Sequence, residues 1–259
     1  MLIAHLSDPH ITVGPLAAEP ATGLYRALGR VLTLEPWPDC VVITGDLTDN
    51  GRPDEYAALR EVLGTFPLPV HLVAGNHDRT ANLVAEFAPD RVGGGPARAS
   101  YTIEYDEVTI VVLDSQVDGT AGGTLGPAQL SFLDSELARR TNVPALVCLH
   151  HPPIDVGIPF MDNIRLTDGA ELGAVLARHP HVIRVLAGHL HRTVSAAFGG
   201  TTLSVAPSTY RQIDLCTRPE APFGYVHEPT GFLLHRITGD SCVTHLVQVS
   251  HAAAPVQGY

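Results

Sequence analysis

Positive charge is in short supply in this chain. Sixteen Lys and Arg stand against 27 Asp and Glu, for a formal net charge of −11. That balance excludes non-specific binding to long nucleic acid or to an anionic membrane surface. The four cysteines, Cys40, Cys148, Cys216 and Cys242, never fall into a Cys-x-x-Cys spacing, which argues against a disulfide framework and a thiolate metal site. Cys40 and Cys148 lie in apolar runs and read as buried free thiols, which fits a reducing cytoplasm. No apolar run is long enough to span a bilayer. No secretory signal precedes the first strand run, so a cytoplasmic location is expected. Internal repeats and low-complexity blocks are absent as well. What is present is a chain of 259 residues, long enough for a full core. It is expected to form one domain over 1–259.

Apolar runs that read as buried strands span Leu2–Leu6, Cys40–Thr44, Val70–Ala74, Ala145–Leu149 and Val182–Ala187. Between them lie helical patterns over Thr22–Leu34, Pro53–Leu63, Thr80–Phe87, Pro127–Arg140 and Asp168–Arg178. Pro53 and Pro127 suit first-turn positions and Asp168 a cap. Strands alternating with helices predict βαβ units and a largely parallel sheet. Tyr101–Tyr105 and Val108–Leu113 read as a hairpin. After His191 come strand-like runs at Thr193–Phe198, Thr201–Val205, Phe232–Ile237 and Val243–Val249, expected to build a second sheet packed on the first. The Gly- and Pro-rich stretch Asp90–Ala97 reads as a surface loop, and the residues after His251 as a frayed tail.

Each of the five main runs ends in a short polar motif: Asp8-Pro9-His10, Gly45-Asp46, Gly75-Asn76-His77-Asp78, His150-His151-Pro152-Pro153 and Gly188-His189-Leu190-His191. In open α/β sheets the carboxyl ends of the strands form the ligand crevice. Carboxylate, amide oxygen and imidazole are a ligand set for zinc, manganese or iron. Strand alternation would place Asp8 with His10, and His189 with His191, on one side. Taken singly, Asp-x-His also fits a structural turn, and Asp46 a turn cap. Asn76 offers a neutral oxygen, and Asp78 is expected to cap the following helix. Of the adjacent pair, His150 is the candidate ligand and His151 a supporting residue. No Ser or Cys stands out as a covalent nucleophile.

Together these motifs resemble the signature of the calcineurin-like metallophosphoesterases, over roughly Leu2–His191. The resemblance implies a four-layer αββα sandwich of two mixed sheets flanked by helices. It implies two divalent metal ions (Mn²⁺, Fe²⁺/Fe³⁺ or Zn²⁺), one on Asp8, His10 and His191 and the other on Asn76, His150 and His189. Asp46 would bridge them together with a water or hydroxide. His77 would lie outside the ligand shell and position the phosphate or protonate the leaving group. Two divalent cations, less Asp8, Asp46 and a hydroxide, leave about one positive charge, which suits a phosphodiester monoanion.

The loop from Pro152 to Leu166 follows a candidate ligand directly and reads as either a substrate lid or a packing segment. Phe160, Met161, Asn163 and Arg165 are its candidate substrate contacts. His-His-Pro-Pro with Met161-Asp162-Asn163-Ile164 is similar to the branch holding class III cyclic-nucleotide phosphodiesterases and glycerophosphodiesterases. The stretch Tyr210–His227 is similar to the latter, and 206–230 is a candidate cap or oligomer segment. A small phosphodiester substrate and a homo-oligomer are therefore expected. The competing readings are a phosphomonoesterase or nuclease on the same core, and a non-catalytic metal-binding scaffold. The remaining histidines, His5, His71, His179, His181, His235 and His245, carry no partner pattern and read as packed or surface residues.

Overall fold

The computed structural model describes residues 1–87, 99–219 and 223–249. The expected surface loop at Asp90–Ala97 and the expected frayed tail lie outside them. The element order is β1 (Leu2–Leu6), α1 (Ala18–Val31), β2 (Cys40–Thr44), α2 (Pro53–Leu63), β3 (Val70–Val73), α3 (Thr80–Phe87), β4 (Tyr101–Glu104), β5 (Thr109–Val112), α4 (Gly126–Leu137), β6 (Ala145–Cys148), α5 (Pro159–Asp162), α6 (Gly169–Leu176) and β7 (Val182–Ala187). It continues with β8 (Val194–Phe198), β9 (Thr201–Val205), β10 (Gln212–Ile213), β11 (Tyr225–Val226), β12 (Gly231–Thr238) and β13 (Ser241–Gln248).

Two mixed sheets stack face to face. One runs β13-β12-β1-β2-β3 and the other β4-β5-β6-β7-β9-β8. The βαβ segments give the parallel pairs β1/β2, β2/β3, β5/β6 and β6/β7. The four strand runs predicted after His191 do not build one second sheet, as the sequence suggested; only the short β10 and β11 pair apart, as a two-stranded sheet. β8 and β9 extend the sheet of β7, while β12 and β13 extend the sheet of β1. Their alternation fixes which face is apolar but carries no information on which edge they join.

The strand runs are continuously apolar because both faces of each sheet are covered. On β5, β6 and β7, Ile110, Val112, Leu146, Cys148 and Leu186 belong to the core shared with β1–β3 and helices α1–α3. Their neighbours Val111, Val147, Leu149, Val185 and Ala187 face the other way, into a second core with α4 and α6. The layers are thus α, β, β, α. Full burial of one such Val, Leu or Ile contributes about 1.5–3 kcal/mol. Truncation of a buried leucine such as Leu186 should cost roughly 2–5 kcal/mol.

Helix α1 begins four residues before the predicted Thr22, at Ala18, and ends at Val31. At α2 the predicted Pro53 opens the helix, and Glu55 reaches back to accept from the amides of Arg52 (3.1 Å) and Asn50 (3.0 Å). Asp168 occupies the residue before α6, but its carboxylate serves another helix. It accepts from Leu125 and Gly126 amides at the start of α4, at 3.0 and 2.7 Å. Cys40 and Cys148 are buried free thiols, as read from the sequence.

Candidate metal centre

All five motifs meet at one end of the sandwich, three from one sheet and two from the other. The loops after β1 and β2 stay bonded beyond the strands: Asp8 N–H donates to Gly45 O (3.1 Å), His10 N–H to Asp46 O (2.9 Å) and Ile11 N–H to Leu47 O (3.0 Å). This ladder holds Asp8 and His10 against Asp46. The i, i+2 pairs do not converge by strand alternation, because the motif residues have left the extended region. Asp8, His10, Asp46, His189 and His191 have φ of 51°, 48°, 46°, 71° and 47°. Such left-handed backbone is uncommon outside glycine. Two glycines permit close approach. A Cβ on Gly188 would strike Ser7 Oγ and the Thr44 carbonyl (2.6 Å), and one on Gly75 would strike the Asp46 backbone and carboxylate.

Three of the histidines have one nitrogen occupied by a backbone carbonyl. His150 Nδ1–H donates to Thr44 O (2.7 Å), His189 Nε2–H to Ile164 O (3.1 Å) and His191 Nδ1–H to Arg211 O (2.7 Å). His10 Nδ1 lies 3.3 Å from an Asp49 carboxylate oxygen. These partners fix the tautomers and aim the remaining lone pairs inward. The consequence is two knots of acceptors facing acceptors. In the first, His10 Nε2 is 3.0 Å from His191 Nε2 and 3.6 Å from Asp46 Oδ2, and His191 Nε2 is 3.5 Å from Asp8 Oδ1. In the second, His150 Nε2 is 3.1 Å from Asn76 Oδ1, 3.2 Å from His189 Nδ1 and 3.4 Å from Asp46 Oδ1. Lone pairs at such distances repel unless a proton or cation sits among them. The donor chemistry fits two cations, with one Asp46 oxygen turned toward each.

The charges agree. Burial would raise Asp46, but His150, His77 and His10 hold its carboxyl well below the usual range. Burial would lower His150, yet Asp46 and Asp8 push it up to about 9, the signature of a place that attracts positive charge. Burial pushes Asp8 up to about 7 against the pull of His150. His189 and His191 are driven well down by burial.

His151 is one of a further trio with His150 and His189 whose nitrogens lie within 4.8 Å. Both its ring nitrogens are engaged, Nδ1 with Ser115 Oγ (2.8 Å) and Nε2 with Ala121 O (3.1 Å). That is the supporting role read from the sequence. His77 donates its backbone N–H to Asp46 Oδ1 (2.9 Å) and its Nδ1–H to Asp49 O (2.8 Å). Its free Nε2 stands 4.0 Å from Asp46 Oδ2, on a side chain that is 39% exposed.

Asp78 does not cap α3. Its carboxylate accepts from Gly75 N (2.8 Å), Leu47 N (3.0 Å), Thr48 N (3.2 Å) and Tyr56 Oη (2.9 Å), tying the β2 and β3 motif loops together. Asp49 escaped the sequence reading, although a second carboxylate one turn after Asp46 was a visible signal. The carbonyls of Thr44, Ile164 and Arg211 had no signal, because every residue carries one.

The loop 152–166 is packed. Ile158, Met161 and Leu166 lie in the second core, and Met161 is only 2% exposed, so its side chain does not reach the surface. Arg165 is engaged within the loop, with Asp155 (2.9 Å) and the Asp162 carbonyl (2.8 Å). Asn163 is exposed and Phe160 is 47% exposed.

The family model described as calcineurin-like phosphoesterase matches residues 1–193, and the chain belongs to that family. Among curated relatives, the glycerophosphodiester phosphodiesterase GpdQ of Enterobacter lignolyticus is 30% identical, over 98% of this chain and 94% of that protein. A cAMP/cGMP dual specificity phosphodiesterase of Mycobacterium tuberculosis is 34% identical, over 83% of this chain and 69% of its own length. A dimetal phosphatase from Danio rerio shares the fold, with a TM-score of 0.66 at 17% identity, over 96% of this chain and 99% of that one.

Proposed function

We propose that this chain hydrolyses the phosphodiester bond of small organic phosphates, using two divalent cations. The single observation that carries this reading is the pair of acceptor knots joined by one carboxylate, Asp46. One cation would rest on Asp8, His10 and His191, the other on Asn76, His150 and His189, with Asp46 common to both. Bound there, the two ions supply Lewis acidity that lowers the pKa of water and draws charge from phosphate oxygens.

The side chains do the rest. Asp46 sets the spacing of the two halves. His77, anchored at Nδ1 by Asp49 O, presents Nε2 at the mouth of the site. Burial opposes its protonation, but Asp46 and Asp49 outweigh burial and raise its pKa, so the imidazolium is available to protonate a departing alkoxide. The relatives' names support a diester, either a cyclic nucleotide or a glycerophosphodiester, over a monoester or a nucleic acid. No helix among the described residues is long and apolar enough to cross a membrane.

The test is a substrate panel on purified protein reconstituted with Mn²⁺ or Zn²⁺, with metal analysis alongside. Cyclic AMP, glycerophosphoethanolamine and bis(p-nitrophenyl) phosphate should turn over faster than p-nitrophenyl phosphate. A monoester rate above every diester rate would favour the phosphomonoesterase reading, and no turnover with metals bound would favour a scaffold.

A further inference from the structure

A row of exposed aromatic rings leads away from the candidate metal centre. Tyr225 stands 5.9 Å from the His191 ring, Phe223 follows at 5.0 Å edge-on, and Phe160 lies 4.5 Å from Phe223, centroid to centroid. These side chains come from two separate segments, the 152–166 loop and β11 with its approach. They remain 47%, 40% and 41% exposed at Phe160, Phe223 and Tyr225. Isolated exposed aromatics are ordinary, whereas contiguous exposed apolar surface marks interaction sites and ligand grooves.

Arg211 fixes one end of the row. Its guanidinium lies 3.7 Å from the Tyr225 ring centroid and 4.9 Å from that of Tyr210. Its carbonyl anchors His191, so the residue borders the candidate metal centre. A cation already stacked on Tyr225 disfavours a second one there, which weighs against the ammonium head of an ethanolamine or choline ester. A flat, neutral ring meets no such penalty, and every nucleobase has a π-face for aromatic side chains.

Resting on the phosphodiesterase reading above, we propose that Phe223 and Phe160, with Tyr225 braced by Arg211, form a nucleobase-stacking subsite. The preferred substrate class is then a phosphodiester that carries a nucleoside.

The test compares wild type with Phe223→Leu, Phe160→Leu and Phe223→Trp. Leucine keeps apolar bulk and removes the π-face, while tryptophan retains it. The readouts are kcat/KM for cyclic AMP and for glycerophosphoethanolamine, and the affinity of adenosine, which has no phosphate and needs no metal. Stacking on one aromatic is worth about a five- to hundred-fold change. Both leucine variants should therefore lower the cyclic AMP to glycerophosphoethanolamine ratio by roughly ten-fold and weaken adenosine by a similar factor, with Phe223→Trp close to wild type. An unchanged ratio and unchanged adenosine affinity in the leucine variants overturns the proposal. So does a shift in oligomeric state with the ratio intact, which would make the row a contact between copies. If wild type hydrolyses no diester, the phosphodiesterase reading fails, and adenosine affinity still decides whether the subsite exists.

Discussion

Acid should destabilise this protein through two histidines that take no part in the chemistry. His5 on β1 and His235 on β12 are fully buried. His5 Nδ1 lies 3.2 Å from His235 Nε2, His5 Nε2 2.9 Å from Thr44 Oγ1, and His235 Nδ1 2.9 Å from Thr244 Oγ1. Thr44 gives its one hydroxyl proton to Ser7 Oγ (2.8 Å). His5 Nε2–H must then donate to Thr44, so His5 Nδ1 accepts from His235 Nε2–H, and His235 Nδ1 accepts from Thr244. The chain runs one way and both rings are neutral. A proton added at His5 Nδ1 would face the His235 N–H. Burial accordingly pushes His5 down to about 3 from 6.5, and His235 well below its ordinary value.

The unfolded chain binds protons near pH 6.5 that the fold refuses. Stability is therefore fully present above that pH and falls as the pH drops toward the folded pKa. Each unit is worth about 1.4 kcal/mol, and the unfolded ring is half protonated at pH 6.5, so His5 alone removes roughly 2 kcal/mol between pH 6.5 and 4.5. His235 acts in the same direction. Against a total stability of about 5–15 kcal/mol this is a large fraction. Asp8 and Asp78, raised by burial to about 7 and about 6, act with the opposite sign, so the raw pH profile mixes both effects. A difference measurement isolates the pair. His5→Leu/His235→Leu removes both rings together and leaves neither with a lost partner. Urea unfolding of both proteins at neutral pH and at pH 4.5 should show the stability gap moving by roughly 2 kcal/mol or more in favour of the variant at low pH. A gap that is the same at both pH values would refute the buried neutral pair.

Metal analysis should separate the two shared-site residues: Asp46→Ala should lose both ions, while Asn76→Ala, which removes one neutral oxygen, should mainly weaken one. Equal loss in both variants would contradict the bridging assignment. His77→Ala should keep near-normal metal content and lose roughly 10²–10⁴ in kcat, the range for a positioned acid or base; loss of metal would make His77 a ligand instead. Gly188→Ala should lower the melting temperature and metal affinity together, because its Cβ meets Ser7 and the Thr44 carbonyl, and a fully stable, fully loaded variant would show that the loop has room.

The main strands and the α-helices they alternate with were legible because periodicity records burial, and the candidate ligands stood out because residue type records ligand chemistry. The sheet membership of β8, β9, β12 and β13 was not, since pairing partners are chosen by long-range geometry. The short α5, β10 and β11 were also missed, being too brief to show a period. Asp78 and Asp168 were assigned to local caps, yet each carboxylate reaches amides distant in sequence. Sequence proximity was the wrong guide there, because a buried carboxylate goes to the donors that most need an acceptor. Met161 and Arg165 stood out in the loop by type, but a methionine fills a core as readily as it lines a pocket, and an arginine can brace its own loop.

The left-handed residues explain why the motifs are short and close-set. A strand end that keeps its alternation offers one face and sends neighbours apart. Turning φ positive at Asp8, His10, Asp46, His189 and His191 folds each motif back on itself. Asp8 and His10 then approach the same knot of acceptors, while His191 joins that knot and His189 the other. Such conformations persist only where the surroundings over-determine them. The restraints are present: the ladder between the β1 and β2 loops, the His189 N–H donating to the Asp8 carboxylate (3.1 Å), and Ser208 Oγ donating to Asp8 O (2.7 Å). These bonds involve the backbone or a serine outside the acceptor knots. The fold's own hydrogen bonds thus hold the candidate ligands in the strained backbone that brings their acceptors together.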